Sequence, residues 1–250
     1  MMTSTDTSIL RGLRVAVTGG TSGLGLALVA TLNNHGANVA FVARHGDRVR
    51  EVAREHTGTH GIQGDVSLKD DIYPIAMQIA AALGGLDVLI NNAGVGTAVP
   101  ATRETPEEFR AVVDINLNGS YWAAQACGRV MQPGSSVINI SSVLGITTAG
   151  LPQAAYSASK AAIAGLTRDL AQQWGTRKGI RVNAIAPGFF ASEMTDQYPP
   201  GYLESQQQRI PAGRKGDPRE LAAAVVFLAS AAGGYVTGQT IPVDGGMTIA

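Results

Sequence analysis

The chain is predicted to fold as one α/β domain, a doubly wound parallel sheet of about seven strands with helices on both faces. Three observations predict it. Short apolar, β-branched runs alternate with helical patterns along almost the whole length, as successive βαβ units require. The first such run passes straight into a glycine-rich turn and then a helix. The 250 residues, 45% hydrophobic and 15% charged, suit a single core of this size.

The expected strands lie near 13–18, 37–43, 59–64, 86–91, 135–141, 179–185 and 239–243, and the expected helices near 23–35, 47–56, 68–83, 105–131, 154–176 and 217–230. Leu13–Val17 is a short buried-strand pattern, and Leu24, Leu28, Val29 and Leu32 mark the inward face of the first helix. Pro74 is expected to split a short turn from the third helix. Thr105-Pro106-Glu107-Glu108 supplies an N-cap, a proline at N1 and a glutamate at N3, which is a strong helix start. Residues 187–214 break the alternation with Pro, Gly and Gln, and 188–214 reads as a substrate lid. Its aromatic and apolar residues Phe189, Phe190, Met194, Tyr198 and Tyr202 hint at an apolar substrate. Residues 1–10 read as a flexible tail ahead of a single domain over 11–250.

Composition removes several functions. Nineteen basic and nineteen acidic residues balance, leaving no electrostatic footprint for nucleic acid or an anionic membrane. The single cysteine, Cys127, excludes an intramolecular disulfide, and the four histidines show no metal-ligand spacing. No signal peptide or membrane-spanning run is visible, so a cytoplasmic location is expected.

The chemistry concentrates in four places. Gly19, Gly23 and Gly25, with Thr21, Ser22 and Leu24 between them, stand between strand and helix, where backbone approaches a pyrophosphate and helix N–H groups face it. Asn91-Asn92-Ala93-Gly94 closes another strand, with amides able to tie adjacent loops. Ser141 and Ser142 close a third, where a hydroxyl can hold a carbonyl oxygen. Tyr156 and Lys160 lie one helical turn apart, so an ammonium can draw a phenol's pKa of about 10 toward neutrality.

In this order and spacing the segments resemble the short-chain dehydrogenase/reductase family, from about Leu13 to Gly246. The resemblance implies a Rossmann-like NAD(P)-binding domain and a hydride-transferring oxidoreductase acting on a small-molecule ketone or secondary alcohol, similar to ketoreductases, alcohol dehydrogenases and 3-oxoacyl reductases. It makes Tyr156 the general acid/base, and gives Lys160 two tasks, lowering the phenol's pKa and gripping the nicotinamide ribose. Ser142 becomes the carbonyl-orienting hydroxyl, preferred over Ser141 because it directly precedes Val143-Leu144-Gly145; the interval to Tyr156 is one residue longer than usual. Asn116 matches the residue holding a water that links Lys160 to solvent. Asp65 and Val66 match the adenine contact, Asn92, Ala93 and Gly94 the cofactor-facing turn, and Pro187, Gly188, Phe189 and Ser192 the nicotinamide-side segment. Ala43 stands where NAD users place an acid, and the next residues are Arg44 and His45. A preference for NADP(H) follows, through a guanidinium on the 2′-phosphate, with NAD(H) use possible and Arg44 stacking on adenine the alternative role. Helices near 105–131 and 154–176, carrying Tyr121, Trp122, Leu166 and Leu170, imply a homotetramer or homodimer. An NAD-dependent sugar or polyol dehydrogenase is the second reading. A catalytically silent nucleotide-binding regulator is the third, disfavoured because Asn116, Ser142, Tyr156 and Lys160 are all retained.

Overall fold

A computed structural model describes residues 9–190 and 201–250. Seven strands, β1 (Arg14–Thr18), β2 (Asn38–Ala43), β3 (Thr59–Gln63), β4 (Val88–Asn91), β5 (Ser136–Ile140), β6 (Arg181–Pro187) and β7 (Thr240–Val243), form one sheet in the order β3-β2-β1-β4-β5-β6-β7. Every pairing is parallel. The central strands are buried on both faces, which is why they read as apolar runs without alternation. The chain leaves β1 for β2 on one side and returns to β4 on the other. A crevice therefore opens at the carboxyl ends of β1 and β4, the position where doubly wound sheets bind ligands.

The helices are α1 (Gly23–Asn34), α2 (Gly46–Glu55), α3 (Lys69–Leu83), α4 (Pro106–Val113), α5 (Gly119–Cys127), α6 (Ala154–Lys178), α7 (Tyr202–Gln207) and α8 (Pro218–Ala229). One face of the sheet packs on α1 and α8 through Leu28, Val29, Leu221 and Val225. The other packs on α3, α5 and α6 through Ile75, Ile79, Ala124 and Leu170. The expected start of α4 is present in full: the Thr105 hydroxyl accepts from the Glu108 N–H while the Glu108 carboxylate accepts from the Thr105 N–H.

Four expectations need correction. Pro74 does not split the third helix; α3 runs unbroken from Lys69, because burial of Ile72, Ile75, Ala76 and Ile79 outweighs the one backbone bond a proline forfeits. The helix expected over 105–131 ends at Cys127 and is divided by a wide π turn at Asp114–Asn118. Leu10, assigned to the tail, is fully buried against α1 and β1, and its N–H donates to the His35 carbonyl. Leu170, offered as a pairing residue, is 3% exposed and belongs to the chain's own core.

Candidate active site

The loops after β1, β2, β3, β4, β5 and β6 converge on one cavity of about 480 Å³. One end of the cavity, where the resemblance puts the adenosine half of a cofactor, holds Gly19, Thr21, Ser22, Gly23, Leu24 and Gly25, and beside them Arg44, His45, Asp65 and Val66. Asn92, Ala93 and Gly94 line its middle; Ser142, Tyr156 and Lys160 line its far end with Pro187, Gly188 and Phe189. Among the expected cofactor residues, Ser192 lies outside the described residues, as do Met194 and Tyr198 of the lid.

The nucleotide half is built for close approach. A methyl group on Gly25 would sit 2.0 Å from the Gly19 carbonyl oxygen and 2.5 Å from the Asn92 amide nitrogen, so no side chain fits there. Ser22 occupies the N-cap of α1 without capping it, which leaves the first-turn N–H groups without a side-chain acceptor. Such an N-terminus suits a pyrophosphate. The Asn92 side chain donates to the carbonyls of Thr18 and Gly19, and the Thr18 hydroxyl accepts from the N–H groups of Asn92 and Ala93. Asn92 thus ties the two loops that flank the crevice. Thr18 is a residue the sequence reading passed over, although it opens the glycine run. Residues present in this half fit a dinucleotide.

At the catalytic end, α6 presents Tyr156 and Lys160 from one face, as their spacing requires. The Lys160 ammonium lies 5.8 Å from the Tyr156 ring centroid and donates to the Ile140 carbonyl at 2.7 Å. Lys160 is 4% exposed, and burial pushes its pKa down to about 8. The two serines separate cleanly. The Ser141 hydroxyl donates to the Lys160 carbonyl and anchors α6 to β5, whereas among the described residues the Ser142 hydroxyl accepts from the nearby Leu144 N–H and donates to none. This division favours Ser142 as the carbonyl-facing group.

Asn116 sits in the π turn with both ends of its amide engaged. Oδ1 accepts from the Val95 N–H, while Nδ2 donates to the Val95 carbonyl and to the Ser159 hydroxyl. Ser159 in turn donates to the Tyr156 carbonyl. The side chain therefore fastens the loop after β4 to the catalytic helix. The water-holding role expected of Asn116 is not assigned to that side chain, whose hydrogen-bonding groups are engaged. Its backbone carbonyl accepts from the Ser120 hydroxyl. Ser120 and Ser159 were not found from sequence, since buried serines on helices carry no distinguishing pattern. Among the described residues no group of His, Cys, Asp and Glu is arranged to hold a metal ion, and no helix is long and apolar enough to cross a membrane.

The buried lysine makes stability depend on pH. Its pKa in the folded protein, about 8, lies below its ordinary 10.5, so the unfolded chain binds more protons between those values. The penalty for burying the charge is in force below about pH 8 and is relieved as pH rises toward 10.5. Lys160→Met has no such penalty. Its unfolding free energy, relative to the parent, is expected to fall by up to about 3 kcal/mol across that window. Denaturant melts of both proteins from pH 7 to 10.5 check it; a constant difference would contradict the burial argument.

A family model described as "Enoyl-(Acyl carrier protein) reductase" matches residues 19–248. The 3-oxoacyl-[acyl-carrier-protein] reductase FabG of Thermotoga maritima is 36% identical over 247 residues, covering 96% of this chain and 99% of the relative. Galactitol 2-dehydrogenase (L-tagatose-forming) of Cereibacter sphaeroides is 37% identical, with 96% of each chain covered. An uncharacterised short-chain type dehydrogenase/reductase of Sinorhizobium fredii is 37% identical across 96% of this chain, which spans only 44% of that longer protein. Among solved structures, the Pseudomonas aeruginosa RhlG/NADP active-site complex superposes with a TM-score of 0.90 at 33% identity, covering 98% of this chain and 100% of that one. The sheet order, the glycine turn under α1 and the matches along nearly the full length agree: the chain belongs to the short-chain dehydrogenase/reductase family and is an NAD(P)-dependent oxidoreductase.

Proposed function

We propose that the protein is an NADP(H)-dependent oxidoreductase that interconverts a ketone and a secondary alcohol, with Tyr156 as general acid/base. The observation that carries this reading is the convergence of Ser142, Tyr156 and Lys160 at the far end of the same cavity that holds the glycine turn. A bound nicotinamide supplies or accepts the hydride. The protein's own part is orientation and proton delivery. Ser142 and Tyr156 hold the substrate oxygen between their hydroxyls, and the phenol gives up its proton as the alkoxide forms, or takes one back in oxidation. Lys160, charged below about pH 8, favours the phenolate from beneath the ring. Asn116 and Ser159 keep the helix carrying both residues in register with the loop after β4.

The phosphate preference rests on Arg44. It is exposed at the mouth of the adenosine wall, Ala43 precedes it, and its backbone is held by the Gln63 side chain. An acid that would accept from a ribose 2′-hydroxyl is missing at position 43, and a guanidinium suited to a phosphate follows. RhlG was solved with NADP, which supports the same preference. A charge-assisted bond contributes about 1.5–3 kcal/mol, so Arg44→Ala is expected to raise KM for NADPH at least tenfold and leave that for NADH nearly unchanged. Steady-state kinetics with both cofactors tests it; a parent enzyme that favours NADH overturns the assignment.

The galactitol dehydrogenase relative favours a second reading, oxidation of a sugar or polyol with NAD. A panel of ketones, β-keto esters, quinones and sugars, followed by nicotinamide absorbance, separates the two. Assembly as a homotetramer or homodimer through α4, α5 and α6 and a cytoplasmic location complete the proposal. Tyr121, 39% exposed on α5, supports the pairing.

A further inference from the structure

We infer that the substrate is uncharged around its reacting carbon: a ketone or secondary alcohol flanked by apolar groups, and not a keto acid, a sugar acid or a sugar phosphate. This rests on the carbonyl/alcohol reading above and names its substrate class.

The inference follows from where charge lies along the cavity. The ionisable side chains on its described wall are Arg44, His45, Asp65, Tyr156 and Lys160. The first three belong to the adenosine side. At the catalytic end, Tyr156 is part of an apolar cluster with Val143, Leu144, Phe189, Ile210 and Met247. The polar side chains among the described lining there are Ser141, Ser142, Tyr156 and Lys160, and in the proposed reaction the hydroxyls of Ser142 and Tyr156 serve a single oxygen.

Among the described residues lining the cavity, the one cation at the catalytic end is Lys160. Lys160 is buried and bonded to the Ile140 carbonyl on the floor of the site. Arg209, which follows α7, is exposed, is not among the residues lining the cavity, and donates through Nη1 to the Thr148 carbonyl and the Gln206 side chain. A carboxylate or phosphate seated against this apolar cluster would lose its water and gain no partner from it, which is among the costliest changes a ligand can undergo. Each hydroxyl of a ketose placed against Val143, Leu144 or Phe189 would likewise lose a hydrogen bond.

The test uses two ketones with the same acyl chain that differ in charge next to the carbonyl, methyl acetoacetate and acetoacetate, with fructose as the polyhydroxy comparison. With NADPH at pH 7.5, kcat/KM for the ester is expected to exceed that for the acid and for fructose by at least a hundredfold. Binding is read separately, as the rise in Tm that each compound gives to the Tyr156→Phe variant saturated with NADPH; the ester should raise it and the acid should not. A ratio below a hundredfold, an equal shift from the acid, or no shift from the ester overturns the inference. An ester that binds selectively yet is never reduced by the parent enzyme sustains the inference and removes the proposed reaction instead.

Discussion

Tyr156→Phe is expected to lower kcat by at least a hundredfold and by as much as about ten-thousandfold, the range that positioned proton transfer commonly supplies. The change removes one oxygen and leaves the ring in its cluster with Val143, Leu144 and Phe189, so folding should survive it. Cofactor affinity should survive as well, because the glycine turn, Asn92 and Arg44 are untouched. Turnover measured against cofactor binding, by nicotinamide fluorescence, isolates the proton-transfer role. Near-parental kcat with a substrate the parent accepts would remove Tyr156 from the reaction.

Gly25→Ala is expected to abolish productive cofactor binding. The added methyl group would meet the Gly19 carbonyl oxygen at 2.0 Å and the Asn92 amide nitrogen at 2.5 Å, so the turn must open by about 1 Å or more. A misplacement of that size costs on the order of a hundredfold in an organised site, and the strain itself is expected to cost about 1–3 kcal/mol of stability. Gly175→Ala on α6 is the internal comparison. Nothing lies within 4 Å of the position its methyl group would take, and alanine favours the helix by about 1 kcal/mol. The first variant should therefore melt lower and bind cofactor at least a hundredfold more weakly, while the second should melt no lower than the parent. Equal cofactor affinity in Gly25→Ala and the parent would refute the close-approach argument.

Much of this architecture was legible because parallel strands buried on both faces leave an unmistakable trace. Val15–Val17, Val88–Ile90 and Val137–Ile138 are apolar whichever way they point, and each ends where a polar cluster begins. The glycine turn and the placement of Tyr156 and Lys160 on one face of α6 were legible for a related reason: local spacing alone sets both. What depended on distant partners was not. Pro74 reads as a helix breaker until four residues of α3 are seen buried on the sheet. The π turn at Asp114–Asn118 leaves no periodicity of its own, yet it sets Asn116 against Val95 and Ser159. Ser141 and Ser142 are adjacent and chemically identical; only the neighbouring Lys160 and Leu144 backbones distinguish their tasks.

Cys127 gives the molecule an internal clock. It is the chain's single thiol, it lies buried in the layer where α5 meets the sheet, and burial pushes its pKa up to about 12. In the closed protein, then, almost no thiolate exists and a disulfide reagent cannot reach what little there is. Reaction must wait for α5 to lift from Ile79, Met131 and their neighbours. With reagent in excess, the rate of thiol modification therefore counts opening events of this layer. When closing outpaces labelling it yields the opening free energy, and when labelling is faster it yields the opening rate itself. No dye, tag or engineered residue is needed, and the same trace recorded with and without nicotinamide cofactor reports how far a ligand bound at the crevice restrains α5 on the sheet.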